Sequence, residues 1–343
     1  MITVFDQTQR THAPREFIVS GMLRPIPERP ERIDMLMEGV RQVGGPIVVP
    51  PEIFGDTLAT VHDRRYIQFL STLWERWRRI PDASESPSPN VFALGRTNLP
   101  PAGYPDSVVG QVGYHLGDGS CPVTSHTFAA ARASAASAIH AAELMLVGEK
   151  LVYALCRPPG HHAAADMAAG FCYFNNAALA AEHLTRAGRR TAILDIDVHH
   201  GNGTEAIFYD RADVLTVSIH ADPRRFYPFF WGYADETGRG AGEGLNLNLP
   251  LARGTTIKPY LDALAAAVRR ISDFAPDILV LAAGLDIAVD DPFRGFAITT
   301  PDFTAIGSLI AATGWPILVV QEGGYPSGSL AGNLAALLRG LGA

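Results

Sequence analysis

The sequence predicts an α/β fold, a mostly parallel sheet covered by helices. Three observations predict it. Short, continuously apolar runs recur along the chain, longer segments of helical character separate them, and ionisable side chains gather just past the ends of the runs.

The runs are LVYALC (151–156), TAILDID (191–197), DVLTVSIH (213–220), DILVLAAG (277–284) and PILVVQEGG (316–324). Unbroken apolar stretches of this length, bounded by Gly, Pro and charges, suit strands buried on both faces of a parallel sheet. Helices are expected between them at 127–150, 175–188, 257–274 and 301–314. The regular alternation makes residues 1–343 one expected domain. Two stretches interrupt it. Residues 81–122 are rich in Pro, Ser and Gly with little periodicity, and a loop that long usually has a function or forms an interface. Residues 220–244 concentrate aromatic side chains in a loop, where they are not simple core filler.

Composition removes several function classes. With 47% hydrophobic and 18% charged residues, the 343-residue chain is an ordinary globular protein, long enough for a large core. A net charge of −7 without any Lys/Arg run argues against a nucleic-acid partner. Cys121, Cys156 and Cys172 are too few and too scattered for a disulfide framework or a paired-cysteine zinc site. The start MITVFDQTQR carries neither a basic nor a long apolar region, and no stretch approaches a membrane span. A cytoplasmic protein with no membrane partner is expected.

Ligands of open α/β sheets bind outside the carboxyl ends of the strands. There this sequence places His161 and His162, the run Asp195 to His200, His220, Asp286 and Tyr325. Asp197 and His199, two apart in extended chain, point to the same side about 6–7 Å apart, a spacing that suits two ligands of one metal ion. Asp286 on a neighbouring strand end adds a carboxylate and leaves coordination positions open. Such a set fits catalytic Zn²⁺, with Fe²⁺ or Co²⁺ as alternatives. Asp195 lies one shell back, orienting an imidazole or holding a monovalent cation. His161 and His162 titrate near neutrality and can serve as acid and base, while Tyr325, after two glycines that free the backbone, can approach a developing oxyanion. A calcium-loop reading of the alternating acids fails, because its sixth position is His200 rather than Gly and its twelfth is Ala206. His200, three residues beyond Asp197, points away from the metal. Taken singly, each residue has a bland reading; the joint pattern is what argues for a site.

The stretches RPPGHHA, GFCYFNNAALAA, ILDIDVHHGNGT, LAAGLDIAVDDP and VVQEGGY, in this order, resemble the histone deacetylase and acetylpolyamine amidohydrolase superfamily. The resemblance is nearest to the bacterial acetylpolyamine amidohydrolases, through GNGTEAIFYDRADVL, FWGYADETGRGAGEG and the final EGGY. It implies an arginase-like three-layer fold with a central parallel sheet of about eight strands, one catalytic zinc and a structural potassium ion. Matched residue by residue, it implies Asp197, His199 and Asp286 as zinc ligands, and His162 as general base with His161 mainly electrostatic. Asp195 would hydrogen-bond His161, Asn202 would hydrogen-bond His162, and Tyr325 would polarise the amide carbonyl. Asp195, Asp197, His199 and Ser218 match the potassium site. Phe171 and Tyr227 would line the substrate channel with the Gly170 carbonyl facing the substrate amide nitrogen, and the 81–122 segment would form a homodimer, or a dimer of dimers, while narrowing the entrance.

The implied activity is hydrolysis of the C–N bond of small N-acyl amines, of the acetylpolyamine type. The mouth departs from the pattern. Glu16 matches an expected acid, but Val109 and Ser120 stand where carboxylates would align, and Arg224 and Arg225 add guanidiniums that oppose a polycation. A less charged small amide, such as one foreign to the cell, is therefore the second reading. Protein-lysine deacetylation is the third, disfavoured because the 81–122 segment should exclude a folded protein surface, and an idle metal-binding protein is opposed by the intact His161, His162 and Tyr325.

Overall fold

The computed structural model describes residues 1–93 and 101–343, so residues 94–100 of the 81–122 segment lie outside the described residues. Strands β1 (Ile2–Val4), β4 (Ile47–Val48), β5 (Leu151–Ala154), β6 (Thr191–Asp195), β7 (Val214–Ala221), β8 (Asn246–Leu251), β9 (Ile278–Ala283) and β10 (Ile317–Gln321) form one sheet. Its order is β4-β1-β5-β10-β9-β6-β7-β8, and every neighbouring pair is parallel. A two-stranded antiparallel ribbon, β2 (Glu16–Val19) with β3 (Met22–Pro25), stands apart.

Side chains alternate between two cores, as the two-residue period of a strand requires. On β6, Ala192 and Leu194 join the core under α1 (Glu31–Val43), α8 (Ile257–Phe274), α9 (Thr300–Ala311) and α10 (Leu330–Gly340), whereas Ile193 joins the core under α5 (Thr127–Leu146) and α6 (Asn176–Arg186). Helix α8 covers the predicted 257–274, burying Tyr260, Leu264, Ala267, Ile271 and Phe274 on one stripe. Helix α6 starts where Asn175 accepts the Ala178 N–H at 2.9 Å, and α9 where Thr299 and Asp302 cap each other. A third cluster packs α3 (Arg64–Trp77) against Tyr173, Phe174 and one face of α5.

All five predicted strands and four predicted helices occur. Strands β1, β4 and β8 are not predicted by the apolar runs, and within the irregular 81–122 segment Val108–His115 folds as α4. Among the described residues, no helix is long and apolar enough to cross a membrane.

One buried ion cluster ties the sheet ends together. Glu28, Arg32 on α1 and Arg157 after β5 are all fully buried. Arg32 Nη1 and Arg157 Nη2 each donate to the Glu28 carboxylate at 2.9 Å. Arg32 also donates to the carbonyls of Glu322 and Gly324, both at 2.6 Å, and so holds the loop after β10. Burial alone would raise the Glu28 carboxyl above 4.5, but Arg157 and Arg32 outweigh it and hold it lower.

Removing one partner of a buried ion cluster strands the others. Glu28→Gln is expected to cost about 3–5 kcal/mol in urea unfolding at neutral pH. Because the folded pKa is depressed, the Glu28 contribution is complete above 4.5 and is lost as pH falls through the folded value, so the gap to wild type should close in acid. A gap under about 1 kcal/mol at neutral pH would mean that the cluster contributes no more than a surface pair.

Candidate active site

The loops after β5, β6, β9 and β10 meet at one rim because these strands are neighbours in the sheet. Asp197, His199 and Asp286 are buried, and one ligand atom from each lies within 4.8 Å of the others. His199 Nδ1 is 3.1 Å from Asp197 Oδ1 and 3.1 Å from Asp286 Oδ2. Backbone donors fix both carboxylates: Gly323 N–H to Asp197 Oδ2 at 2.8 Å, and Val198 N–H to Asp286 Oδ1 at 3.0 Å. A side chain at residue 323 would collide with both carboxylates, so glycine there serves close packing rather than the backbone freedom expected before Tyr325.

The electrostatics fit a cation. Burial and the Asp197 charge push the Asp286 carboxyl up to about 6. Burial also opposes charge on His199, but Asp197 and Asp286 outweigh it and lift the imidazole to about 9. Two carboxylates held against one imidazole this closely can serve as the donor set of a divalent ion with open positions. His161, Cys172 and Glu322 converge as closely, but His161 is committed to Asp195 and burial holds the Cys172 thiol well above its ordinary range.

The two adjacent histidines are driven in opposite directions. His161 Nδ1 lies 2.9 Å from Asp195 Oδ2, and His162 Nδ1 lies 2.7 Å from Asn202 Oδ1. Burial disfavours charge on both. At His161 it is outweighed by Asp197, Asp195 and Glu322, which raise the imidazole to about 10. At His162 burial is reinforced by the neighbouring imidazoles of His161 and His199, so its pKa falls well below the ordinary value. A neutral His162 donating Nδ1–H to Asn202 has a bare Nε2, the form a general base needs. Glu322 Oε2 accepts the N–H groups of Gly160 and His161 at 2.6 and 3.0 Å and fixes the loop that carries both rings.

A cavity of ≈ 1150 Å³ opens onto His162, His199 and Tyr325, with Phe171 and Tyr227 in its walls. The Tyr325 ring packs edge-on against Phe171 and Phe293, and burial keeps its phenol protonated far above neutrality. Residues Phe92, Tyr114 and Gly117 to Ser120 of the 81–122 segment also line this cavity, on the side of the expected narrowing.

Other expectations fare differently. Ser218 lies beside Asp195 in the β6–β7 register, with its hydroxyl 2.8 Å from His220 Nδ1. Gly170 stands against His162 and Tyr227. Glu16 is exposed and does not line the cavity, whereas its neighbours Phe17 and Ile18 do, Phe17 packing on Phe171. Arg224 pairs with Asp222 at 3.1 Å, whereas Arg225 reaches the cavity rim. His200 is buried against His220, with Nε2 3.0 Å from Glu205, away from the metal set. Sequence reasoning missed Glu322, although a carboxylate ending the run LVVQE was a signal. It also missed Asp118, whose side chain accepts the Tyr227 hydroxyl at 2.6 Å.

The histone deacetylase domain model matches residues 26–341. The acetylpolyamine amidohydrolase of Burkholderia pseudomallei is 43% identical over 344 residues, covering 100% of this chain and 99% of that protein. That of Mycoplana ramosa is 40% identical over 343 residues, covering 99% of each. The crystal structure of the Burkholderia pseudomallei acetylpolyamine aminohydrolase superposes with a TM-score of 0.95 at 43% identity, over 100% of this chain and 99% of that one.

After desalting, each chain is expected to retain about one equivalent of divalent metal by elemental analysis. His199→Ala and Asp286→Ala should lose it. A full equivalent retained by both variants would remove the metal from this set.

Proposed function

The chain belongs to the histone deacetylase family, a family of enzymes that hydrolyse amides, and on that premise we propose that it is a zinc-dependent amidohydrolase cleaving small N-acyl amines. One observation carries the reading: two adjacent imidazoles, one biased to the cation and one to the neutral base, stand beside a three-residue set able to hold a metal, and His162 and His199 face the cavity. Such opposed tuning of neighbouring titratable groups marks acid–base machinery.

Asp197, His199 and Asp286 would hold a divalent ion, which when bound would supply Lewis-acid polarisation of the scissile carbonyl. His162 takes a proton from the attacking water at Nε2, with Asn202 holding its other nitrogen. His161 remains cationic against Asp195 and favours the negative charge that develops. Tyr325 donates its hydroxyl to the carbonyl oxygen as that atom becomes an oxyanion. His162 then returns its proton to the departing amine, and the C–N bond breaks. Asp195, with Asp197, His199 and Ser218, would hold a monovalent cation, potassium in this proposal, in a structural role.

The substrate is proposed to be an acetylpolyamine-like small amine, which the names of the relatives support. A second reading, a less charged small amide, is favoured by the rim: Phe229, Phe230 and Trp231 are exposed there, Arg225 adds positive charge, and Glu16 turns away. Homodimerisation through 81–122 belongs to the same proposal, supported by exposed Val91 and Phe92. A cytoplasmic location completes it.

Tyr325→Phe and His162→Ala are each expected to lower kcat by about 10²–10⁴-fold on an acetyl-lysine coumarin amide, with folding intact by melting temperature. Undiminished turnover in both would overturn the catalytic assignment. Against acetylputrescine, acetylspermidine, an acetyl-lysine peptide and neutral N-methyl amides, the acetylpolyamines should show the highest kcat/KM. Faster hydrolysis of the neutral amides would replace the first substrate reading with the second.

A further inference from the structure

Asp118, Gly119 and Ser120 touch three walls of the cavity at once. The Asp118 Oδ2 atom accepts the Tyr227 hydroxyl at 2.6 Å and the Gly170 N–H at 3.1 Å, while Oδ1 accepts the Ser120 N–H at 2.7 Å. The Ser120 carbonyl accepts the Phe171 N–H, and the Gly119 carbonyl accepts the Ile18 N–H, both at 3.0 Å. The strand carrying Ile18 also carries Phe17, which packs on Phe171 with ring centres 5.3 Å apart. One short turn thus fixes the Phe171 wall, the Tyr227 wall and the β2 wall.

What it fixes is close to the chemistry and has little slack. Gly170 and Phe171 are both left-handed, with φ of 53° and 70°, and a non-glycine residue holds that conformation only when its surroundings enforce it. The Tyr227 ring meets the His162 ring edge-on, with centres 4.9 Å apart. Even a single methyl placed on Gly170 would collide with His162 and come within 3.0 Å of the Tyr227 hydroxyl.

We propose that Asp118 is a specificity-determining positioning residue that sets the channel width beside His162, admitting a straight chain next to the amide nitrogen and excluding a branched one. Asp118 acts through Tyr227 and Gly170. With the acyl carbonyl at the floor, the amine side of the substrate must pass between the Phe171 and Tyr227 walls, and walls held by three converging hydrogen bonds cannot yield to a methyl branch. One methylene in a tight pocket is worth about 10–200-fold in discrimination, which sets the scale of the effect.

This inference rests on the amidohydrolase reading, and the test separates the two. The probes are a monoacetylated straight-chain diamine and its isomer with a methyl branch on the carbon bearing the amide nitrogen, so charge and composition are the same. Wild type should favour the straight isomer by about 10-fold or more in kcat/KM. In Asp118→Ala that ratio should fall about 10-fold, and Tyr227→Phe should lower it in the same direction. Asp118→Ala/Tyr227→Phe should be no worse than Asp118→Ala, because both substitutions release one coupled unit. Asp118→Asn, which retains an acceptor oxygen, should keep most of the preference.

An unchanged ratio in Asp118→Ala, whatever happens to its melting temperature, or losses that multiply in the double variant, would overturn the proposal. Should Asp118→Ala fail to fold, an unchanged ratio in Tyr227→Phe overturns it equally. Wild type that hydrolyses neither isomer would count against the amidohydrolase reading itself.

Discussion

Four buried carboxylates, Asp195, Asp197, Asp286 and Glu322, gathered around two imidazoles at the ends of three adjacent strands, are the constraint on which the rest depends. Unpaired charges in such a place are prohibitively costly, so each must be answered locally. Backbone N–H groups answer Asp197, Asp286 and Glu322, and the protonated form of His161 answers Asp195. Between Asp197 and Asp286 the answering group is His199, 3.1 Å from each, and the same three donors are placed to share a cation. The glycine at 323 follows from the same crowding, since any side chain there would occupy space that the carboxylates need.

The floor was legible in the sequence because burial and chemistry leave opposite marks on one strand. An apolar run such as Ala192 to Leu194 signals a strand covered on both faces, and acids directly after it have no packing explanation. Periodicity sees less where elements are short or polar. Strand β1 has 3 residues and β4 has 2, too few for a pattern. Strand β8 reads as alternating Asn and Leu, and it buries the asparagines, because Asn246 and Asn248 both donate to the buried Glu205. A polar alternation of this kind reads as loop until its buried partner is known.

The mouth was less legible for a different reason. Its residues come from β2, the 81–122 segment and the aromatic loop, and which of them face the cavity depends on where loops cross rather than on any period. Glu16 and Phe17 are neighbours with opposite fates. Asp118, between two glycines in a segment poor in pattern, gave no sign that its carboxylate would join Tyr227, 109 residues further along. Floor and mouth therefore obey different physics, electrostatic balance in one and loop packing in the other.

The Glu28 cluster gives that division a kinetic side. A single carboxylate joins Arg157, which leads into the histidine loop, to Arg32, which holds the carbonyls before Tyr325. Neither loop can fray without stranding the carboxylate that the other shares, so the two are expected to open together. Brief local unfolding is thereby directed to the rim. The entrance can then open and close without the floor losing the positions of its charged groups.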